Sequence, residues 1–403
     1  MQTLSVDKAR ELILARLSTL PPETLFMGEA LGRYLSEDIY SPCDIPSHDN
    51  SAMDGYAVNT LDVSSPGTIL PVAYELPAGA MPQGPCPRGH AVKIMTGALI
   101  PQGADAVVMR EDTEEQPDRV IINTIPRRHD HIRFAGEDMK KGSLVLSRGD
   151  FIGPAQVGIL ASLRRSLVMV SQRPIVAVLA TGDEIVDLDE DLHQGKIPSS
   201  NSYTLISLVK SSGAIPIYLG IAKDEKSELR EKLSRGGRAD LILTSGGVSM
   251  GDYDIVKDVL AEPENTMDFW KVDIKPGRPL AFGSIHGIPA IGLPGNPVST
   301  MTSFYQFARP AIRKLLGAHT LLLPRIRASL AQTITGNKGD RPHYMRGVLE
   351  RSGSVISVTP TGAQGSGILS SMAKGNCFII LPKGTTHLDK GEIVECELFQ
   401  EDF

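Results

Sequence analysis

The sequence predicts a multidomain α/β protein. A doubly wound, mostly parallel α/β domain is flanked by an irregular β-rich domain and by a small C-terminal β-barrel or sandwich. The chain has 403 residues, enough for about two to four domains. Short β-type runs broken by Gly and Pro fill the region from about Tyr40 to Gly149, and strand-like and helix-like patterns alternate beyond Pro174.

The first predicted helix runs from Ser5 to Leu20. Ser5 is a suitable N-cap, and Pro21-Pro22 ends the helix. The apolar side chains recur at helical spacing, at Val6, Ala9, Ile13, Leu14, Leu17 and Leu20. This stripe predicts a helix that packs against a core formed elsewhere in the chain.

The alternating region begins at Pro174, the predicted domain boundary. The predicted strands are 175–180, 215–222 and 240–247, followed by two β-type stretches around Val272 and at 289–293. The predicted helices are 200–210, 225–235, 253–261 and 298–316. This alternation predicts a mostly parallel sheet covered on both faces. The tail from about Pro324 to Phe403 returns to short strands separated by Gly and Pro, which predicts a small barrel or sandwich.

Composition and charge exclude several classes of protein. With 41 Lys and Arg against 47 Asp and Glu, the net charge of −6 is too acidic for a protein that neutralises a nucleic-acid backbone. A hydrophobic fraction of 41% excludes a wholly disordered chain. No apolar run approaches the roughly 20 residues that cross a bilayer, and the N-terminus is not typical of a signal peptide. We expect a cytoplasmic protein with no nucleic-acid and no membrane partner.

The cysteines are Cys43, Cys86, Cys377 and Cys396, with no C-x-x-C pair among them. Their wide spacing indicates neither a zinc site nor a disulfide framework. We expect reduced, buried thiols.

Acidic residues follow each of the first three strands of the alternating region. These residues are Glu184, Asp224 and Asp254. In a doubly wound domain the ligand lies beyond the carboxyl ends of the strands, near the point where the strand order reverses. Clustered carboxylates need cations to neutralise them, so the pattern predicts Mg²⁺ shared with substrate phosphates. The alternative is a set of solvated loop acids and helix N-caps.

Two further segments suggest anion binding. Gly246-Gly247 follows an apolar strand, and glycines there let backbone N–H groups approach a phosphate, although a tight turn is the alternative. The stretch WKVDIKPGRP carries Lys271, Lys275 and Arg278, which form either an anion pocket beside the acids or a solvated basic loop.

Rigid and polar loops complete the candidate motifs. Pro294 and Pro297 stiffen the segment LPGNPVS, which either ends a strand or shapes the predicted ligand edge. In the β-rich region, DNSAMDGYA, KIMTGA and RFAGED each indicate turn chemistry when taken alone. The sequence shows no Ser/His/Asp arrangement and no histidine pair with metal-ligand spacing. Composition and spacing therefore predict a metal-dependent, anion-handling enzyme without specifying its substrate.

Nine motifs, taken in order, resemble one family. They are DNSAMDGYAV, KIMTGALIP, RFAGED, ATGDEI, SNSYTL, LTSGGVSMGDYD, FWKVDIKPGRP, LPGNPVS and GNCFIILP. From its first helix to its last strand the chain is similar to molybdopterin molybdenumtransferase, the MoeA protein and gephyrin E-domain family. The molybdopterin adenylyltransferases resemble only the α/β portion, roughly 174–322.

The resemblance implies four domains and a homodimer. The domains are a linker/dimerisation domain at 23–41 and 143–173, an irregular β-domain at 42–142, an α/β molybdopterin-binding domain at 5–22 and 174–322, and a C-terminal small β-barrel at 323–403. The implied dimer is elongated. Its active cleft combines the α/β and barrel domains of one subunit with the β-domain of the other.

The implied reaction inserts molybdate into adenylylated molybdopterin. Cleavage of the adenylyl bond, dependent on Mg²⁺ or Zn²⁺, yields molybdenum cofactor and AMP. Molybdate is a tetrahedral dianion and the pyrophosphate link carries further charge, so the site needs both cations and metal-binding acids. The adenylyltransferase that makes the intermediate is an implied partner.

The resemblance also assigns residues to this reaction. The implied catalytic acids are Asp54, Asp138, Glu184, Asp224 and Asp254, of which Glu184, Asp224 and Asp254 also handle the metal. The implied substrate-binding residues are Thr96, Arg133, Lys271, Lys275, Pro294, Pro297, Arg346 and Ser366, and the predicted phosphate-binding turn adds Gly246 and Gly247. Asp54, Thr96, Arg133 and Asp138 are expected to face the cleft from the partner subunit. Lys271, Lys275, Arg346 and Ser366 are expected to form the anion pocket.

Three alternatives remain. An adenylyltransferase would make the nucleotide intermediate rather than consume it, although both flanking β-domains argue against this activity. A non-catalytic scaffold of the same fold would need a fused partner domain and a linker. A tungstate-specific variant would use an oxyanion of the same charge and nearly the same size.

Overall fold

The computed structural model describes residues 3–248 and 255–399. As far as they are described, these residues divide into two compact units. The first unit comprises Met1–Glu37, Arg148–Val157 and Leu167–Phe403, and the second comprises Asp38–Ser147 and Gly158–Ser166. The division into four domains stays a prediction.

The helices lie mainly in the first unit. In chain order they are α1 (Val6–Ala15), α2 (Pro154–Ser162), α3 (Ser200–Ser211), α4 (Lys226–Ser234), α5 (Ile255–Leu260), α6 (Pro297–Ser303), α7 (Arg309–Leu315) and α8 (Ser370–Lys374). Short 3₁₀ turns occupy Thr60–Asp62 and Arg110–Asp112, and a π-helical turn occupies Phe304–Ala308.

The strands fall into three regions of the chain. Those before the alternating region are β1 (Pro22–Phe26), β2 (Ile39–Tyr40), β3 (Asn50–Ser51), β4 (Gly55–Val58), β5 (Thr68–Leu76), β6 (Ala91–Ile94), β7 (Ala106–Met109), β8 (Thr113–Glu115), β9 (Arg119–Ile122), β10 (Ile132–Arg133), β11 (Leu144–Leu146) and β12 (Leu167–Ser171). Those of the alternating region are β13 (Ile175–Thr181), β14 (Ile185–Val186), β15 (Ile197–Pro198), β16 (Ile215–Ala222), β17 (Leu241–Ser245), β18 (Thr266–Lys271), β19 (Pro279–Ile285) and β20 (Ile288–Leu293). Those of the tail are β21 (Arg325–Leu330), β22 (His343–Ser352), β23 (Val355–Pro360), β24 (Cys377–Leu381) and β25 (Ile393–Leu398).

The first unit is built around a sheet with the strand order β16-β13-β17-β20-β19-β18. β16, β13, β17 and β20 are parallel, and β19 and β18 extend the sheet as antiparallel strands. The chain leaves β13 for β16 on one side and then returns to β17 on the other side, so the strand order reverses at β13. The predicted doubly wound, mostly parallel arrangement is confirmed.

Alternate side chains of β13 serve the two faces of this sheet. Val176 and Val178 pack in a cluster with buried side chains of α1, α3, α6 and α7. Ala177 and Leu179 pack in a separate cluster with side chains of α4 and α5. A parallel strand covered on both faces is apolar at nearly every position, which is why IVAVLA shows no alternation in the sequence.

The first helix is shorter than predicted. Ser5 is its N-cap, accepting a hydrogen bond from the Lys8 backbone N–H at 3.2 Å. α1 ends at Ala15, and the Arg16 N–H bonds back to the Ile13 carbonyl. The Leu17 N–H still bonds back to the Leu14 carbonyl at 3.3 Å, but the Leu20 N–H bonds to the carbonyl of Leu315, the last residue of α7, at 2.9 Å. Leu17 and Leu20, the apolar residues beyond Ala15, therefore pack against the core from irregular backbone.

The predicted helix 298–316 is interrupted in the structure. α6 and α7 are separated by the π-helical turn, which contains Gln306. Pro310 has no N–H to offer the carbonyl four residues earlier, which is that of Gln306. The Arg10 side chain of α1 donates to this carbonyl instead, at 3.1 Å from Nε. The proline thus leaves the Gln306 carbonyl without a helical N–H donor, and the hydrogen bond from Arg10 joins α1 to the interrupted helix.

The prediction of two β-type stretches before the last helix also missed a strand. β18 and β19 form an antiparallel hairpin, and β19 also pairs with β20. The stretch at 279–285 is apolar, but it directly follows the Pro- and Gly-rich loop and shows no period that distinguishes it as a strand.

The tail forms a closed barrel in the order β21-β23-β22-β24-β25. Closure removes the exposed edges that a small open sheet presents. The barrel has its own core cluster, which includes Leu349, Val358 and Ile379. Of the two predicted alternatives, the barrel is confirmed and the sandwich is wrong.

The second unit is the irregular β-rich part of the chain. Its largest sheet has the strand order β7-β4-β6-β5-β9-β8, and β3 with β10 and β2 with β11 form short antiparallel ribbons. Two small clusters form its core, one around Tyr56 and Val108 and the other around Ile94 and Val107. Strands of two to nine residues separated by turns explain the absence of any sustained period in the sequence.

Two expectations about the whole chain can be compared with the structure. Within the described residues, no helix combines the length and apolar character needed to span a membrane. Cys86, Cys377 and Cys396 are buried free thiols, but Cys43 is exposed because it lies in a surface turn after β2. The expectation that all the thiols are buried is therefore wrong for Cys43.

A buried polar chain joins α1, the π-helical turn and the barrel. Arg10 donates from Nη2 to Gln306 Oε1 at 2.9 Å, and Gln306 in turn donates from Nε2 to Glu397. Arg325 donates from Nε to the other oxygen of Glu397 at 3.1 Å. Gln306 is 1% exposed and Glu397 is 3% exposed, so water does not replace either partner when one of these hydrogen bonds is lost.

We predict that Gln306→Ala lowers the free energy of unfolding by about 1–3 kcal/mol, because Arg10 and Glu397 each lose a buried partner. Gln332→Ala, at an exposed position, is the control and should change it by no more than about 0.5 kcal/mol. Urea unfolding followed by fluorescence of Trp270, the single tryptophan, measures the difference. Equal midpoints for the two variants would show that the polar chain adds no stability.

Candidate functional site

A cavity of about 440 Å³ lies beyond the carboxyl ends of β13, β16, β17 and β20, beside the start of α3. This is where the strand order reverses, the position expected for a ligand in a doubly wound sheet. Six predicted site residues line it together: Glu184, Asp224, Gly246, Gly247, Pro294 and Pro297. The wall is otherwise mostly small and polar, with Thr181, Ser199, Ser200, Asn201, Ser245 and Asn296 among its residues.

The Gly246-Gly247 turn lies unusually close to Thr181. Both glycines have positive φ, +94° and +66°, and a Cβ on Gly246 would lie 2.5 Å from the Thr181 carbonyl oxygen. The Gly246 N–H donates to the Leu293 carbonyl at 3.1 Å, so this amide is engaged within the protein. The glycines are therefore required by packing, and the predicted phosphate contact from Gly246 N–H does not follow from the geometry.

The ends of β13 and β16 are joined through two aspartates. Asp183 Oδ1 accepts from the Asp224 N–H at 3.1 Å, and Asp224 Oδ2 accepts from the Asp183 N–H at 3.4 Å. Glu184 folds back over Gly182, where an added Cβ would lie 2.7 Å from its Oε2. Two of the three predicted acidic residues, Glu184 and Asp224, thus line one cavity.

The predicted metal set is incomplete in the structure. Asp254 lies outside the described residues, which end at 248 and resume at 255. Across the described ranges, no group of three or more His, Cys, Asp or Glu side chains is arranged to hold a metal ion. Glu184 and Asp224 supply carboxylate oxygens of the kind that Mg²⁺ prefers, but as a pair they do not complete a site.

Asn201 was missed as a site residue, although its motif was noted. Its side-chain N–H₂ donates to Ser245 Oγ at 2.9 Å and to the Gly295 carbonyl at 2.7 Å. The start of α3 is thereby joined to the ends of β17 and β20. The polar run Ser199-Ser200-Asn201 at the start of the helix was the available signal.

Asp187 holds the loop that follows Glu184. Its carboxylate accepts from the Tyr203 hydroxyl at 2.6 Å and from the Tyr218 hydroxyl at 3.0 Å. These hydrogen bonds, that from Tyr203 first, lower the pKa of Asp187. The loop bearing Glu184 is therefore attached to both α3 and β16.

The proline segment shapes the opposite wall. Pro297 is the first residue of α6, as its predicted helix-start position requires. The Pro294 carbonyl accepts from Thr300 Oγ1 at 2.5 Å and from Ser245 Oγ at 3.4 Å. The segment between β20 and α6 is thus held by side chains of α6 and β17.

The predicted anion-pocket residues lie outside this wall. The described residues lining the cavity do not include Lys271, Lys275, Arg346 or Ser366. The Lys271 ammonium lies 4.3 Å from the centre of the Trp270 ring. Lys275 lies in the loop between β18 and β19, and its backbone bonds to the barrel, from N–H to the Pro342 carbonyl at 2.9 Å.

Arg346 is fully buried on β22, at 0% exposure. Its guanidinium donates to Ser371 Oγ and to the carbonyls of residues 363, 364 and 365, at 3.0–3.4 Å. Desolvation lowers the pKa of Arg346 to about 10, so it remains charged at neutral pH. The Ser366 carbonyl next to this loop accepts from the Val298 N–H at 3.0 Å. Arg346 therefore holds the Ser366 loop against the start of α6, a role that the sequence did not suggest.

The remaining predicted residues belong to the second unit. Asp54 Oδ1 accepts from the Thr96 N–H at 2.7 Å and from Thr96 Oγ1 at 2.8 Å. These bonds, the backbone one first, lower the pKa of Asp54. Arg133 lies on β10 opposite Asn50, and the Asp138 N–H bonds to the Ile45 carbonyl at 3.1 Å. Asp54, Arg133 and Asp138 are all exposed on this unit.

Three family models together match most of the chain. "MoeA N-terminal region (domain I and II)" matches residues 4–163, "Probable molybdopterin binding domain" matches 177–314, and "MoeA C-terminal region (domain IV)" matches 327–399. All the residues that line the cavity lie within the second of these matches.

Two curated relatives and one solved structure show the extent of the similarity. A molybdopterin molybdenumtransferase of Haemophilus influenzae is 39% identical over 98% of both chains, and one of a Nostoc species is 37% identical over 92% of this chain and 87% of its own. The crystal structure of a molybdopterin biosynthesis MoeA protein from Pyrococcus horikoshii superposes with a TM-score of 0.85 at 30% identity, covering 99% of this chain and 100% of that one.

We predict that Thr96→Val raises the pKa of Asp54 toward the ordinary value of an aspartate, because one of its two hydrogen-bond donors is removed. A lowered pKa stabilises the fold above the ordinary aspartate pKa, and this contribution is lost as the pH falls through the lowered value. Titration of the labelled Asp54 carboxyl carbon by NMR measures the shift. Thr96→Ser keeps the hydroxyl and is the control. An unchanged Asp54 pKa in Thr96→Val would show that the Thr96 hydroxyl does not lower this pKa.

Proposed function

Because the chain belongs to the MoeA family of molybdopterin molybdenumtransferases, we propose that it inserts molybdenum from molybdate into adenylylated molybdopterin and releases AMP. One observation carries the proposal. The cavity at the reversal of strand order gathers Glu184, Asp224, Gly247 and Pro297 within the segment matched by the molybdopterin-binding model. A pterin nucleotide is a ligand of the class that such a crevice binds.

The electrostatics near the barrel support an oxyanion. Molybdate carries two negative charges, so its site needs cations that are not already neutralised. Arg346 is a buried cation whose described partners are carbonyl and hydroxyl oxygens rather than carboxylates. Its charge therefore favours an anion at the adjacent Ser366 loop. We propose Lys271, Lys275, Arg346 and Ser366 as the anion pocket, with Arg346 acting through the loop that it holds.

The acidic side of the cavity supports a divalent cation. We propose that Glu184 and Asp224, together with Asp254, hold Mg²⁺, which would neutralise the phosphates of the adenylyl link during its cleavage. The Asp183–Asp224 hydrogen bonds hold Asp224 at the cavity edge, and Asp187 holds the loop of Glu184. These contacts position the carboxylates before any substrate arrives.

An exposed apolar face supports a homodimer. β1 and β12 form an antiparallel ribbon in which Phe26 pairs with Leu167. Phe26 is 50% exposed, Leu167 57% and Met169 39%, and they share the outer face of the ribbon. Contiguous apolar surface of this kind marks protein contacts. We propose that this ribbon, within the predicted dimerisation segments 23–41 and 143–173, contacts a second copy of the chain.

In that dimer, the second unit of one subunit completes the cleft of the other. Asp54, Thr96, Arg133 and Asp138 would face the substrate from the partner subunit, and their exposure on the second unit is consistent with this role.

An adenylyltransferase is the class of enzyme that supplies the nucleotide substrate. The four free thiols agree with a reducing cytoplasm.

We predict that purified protein releases AMP from adenylylated molybdopterin at a rate that rises with molybdate and falls when Mg²⁺ is chelated. Asp224→Asn should lower kcat/KM by about tenfold to a hundredfold, because it removes a charge from the proposed metal site. Glu225→Gln makes the same charge change one residue along and should have little effect. AMP release by chromatography is the measurement.

Two results would contradict this function. A rate of AMP release that does not depend on molybdate would show that the adenylyl bond is hydrolysed without insertion of molybdenum. Consumption of Mg-ATP and molybdopterin with release of pyrophosphate would instead identify an adenylyltransferase. A loss of activity in Glu225→Gln equal to that in Asp224→Asn would remove the specific assignment of Asp224.

We predict that Leu167→Glu converts the protein to a monomer, because it places a charge in the proposed contact without disturbing a core. Leu61→Glu, at a site that is 78% exposed, is the control and should leave the dimer unchanged. Sedimentation equilibrium measures both masses. A dimeric Leu167→Glu, or a monomeric wild-type protein, would rule out this ribbon as the dimer contact.

A further inference from the structure

The loop that carries Lys275 is attached to the barrel through its backbone. The Lys275 N–H donates to the Pro342 carbonyl at 2.9 Å, and the Lys275 carbonyl accepts from the Tyr344 N–H at 2.8 Å. This pairing places Lys275 beside His343, the residue that starts β22. A buried polar pair, Asn337 and His343, lies at this junction, and neither residue belongs to a motif of the sequence analysis.

The orientation of the Asn337 amide follows from its partners. Its Nδ2 donates to the Thr385 carbonyl at 2.6 Å, and a carbonyl can only accept. Its Oδ1 lies 3.4 Å from Lys275 Nζ, and an ammonium can only donate. Both contacts select the same orientation, with the amide oxygen toward the lysine. Asn337 is 7% exposed, so water does not readily replace these bonds.

The protonation of His343 follows in turn. Its Nδ1 lies 3.1 Å from the same Asn337 Oδ1, and because an amide oxygen only accepts, Nδ1 carries the proton. Desolvation first, and then the charge of Lys275, lower the pKa of His343 to about 4, so the ring is neutral at pH 7. The proton on Nδ1 leaves Nε2 as a bare acceptor, and this atom is buried without a partner among the described residues.

In this arrangement His343 donates to Asn337 from Nδ1, and its Nε2 is left as a buried acceptor without a partner among the described residues. An unsatisfied buried polar atom costs about 1–3 kcal/mol, so its retention needs a reason. A carboxylate in place of the amide would hold the lysine more strongly, but it would also neutralise the ammonium and compete with an incoming anion. A neutral amide oxygen orients the ammonium without itself neutralising the charge.

We propose that Asn337 is a positioning residue that aims the Lys275 ammonium at the oxyanion, and that His343 holds Asn337 in place through its Nδ1–H. The inference rests on the proposed function, because it takes Lys275 as part of the oxyanion pocket. Asn337 acts only through Lys275, and His343 acts only through Asn337.

The test measures the Kd for molybdate by calorimetry and the KM for molybdate in the AMP-release assay. Asn337→Leu, which removes the acceptor at similar volume, should raise both by about tenfold, or about 1.4 kcal/mol. The KM for adenylylated molybdopterin should stay unchanged, which a general loss of structure would not allow. In a Lys275→Ala background, Asn337→Leu should add no further effect, because the group it positions is already absent.

A pair of histidine variants keeps the inference testable if Asn337→Leu fails to fold. His343→Asn retains a donor near the Nδ1 position and should bind molybdate within about twofold of the wild type. His343→Leu removes the donor and should weaken molybdate binding severalfold.

The outcomes separate the two levels of proposal. If Lys275→Ala leaves molybdate binding unchanged, the proposed oxyanion pocket is wrong. If Lys275→Ala weakens binding but Asn337→Leu does not, or if their effects add, the pocket stands and the positioning role of Asn337 is overturned. Equal binding by His343→Asn and His343→Leu would overturn the part assigned to His343.

Discussion

The close contact between Thr181 and the Gly246-Gly247 turn determines the shape of the candidate site. The turn reaches this position because glycine tolerates both positive φ and a carbonyl at 2.5 Å from where a Cβ would lie. The Gly246 N–H then bonds to the end of β20, and Asn201 joins the start of α3 to the same region. The cavity is the space left between strand ends that are held together in this way.

The cations near the barrel differ in the charge of their hydrogen-bond partners. Arg325 and Glu397 form an ion pair within a polar chain, and their charges offset each other. Arg346 is held by oxygens without a formal charge, and Lys275 is met by an amide oxygen. A buried cation that is hydrogen-bonded but not neutralised still exerts a positive potential in a region of low dielectric constant. That potential favours an anion near Arg346, whereas the two carboxylates of the cavity wall, Glu184 and Asp224, favour a cation.

The regular elements were largely predictable because each depends on local patterns. The strands β13, β16 and β17 and the helices α3 and α4 lie within a residue or two of their predicted positions, since local apolar patterns mark them directly. The interruption at the π-helical turn was predictable in principle from Pro310. β19 was missed because a strand after a Pro- and Gly-rich loop shows no distinguishing period. Among the predicted site residues, those that the structure describes after parallel strands line one cavity, because parallel strands end at one edge.

The sequence by itself determined the fold class, the edge of the sheet that carries the cavity and the family resemblance, since these depend on short-range patterns and on the geometry of parallel strands. Only the tertiary structure decided what Asn201, Asn337 and Arg346 contact. Their partners lie on other elements of the chain, and hydrogen bonds depend on distance and direction rather than on residue type. The same reason explains why the Gly246 amide, available by its sequence, is engaged by β20 in the folded protein.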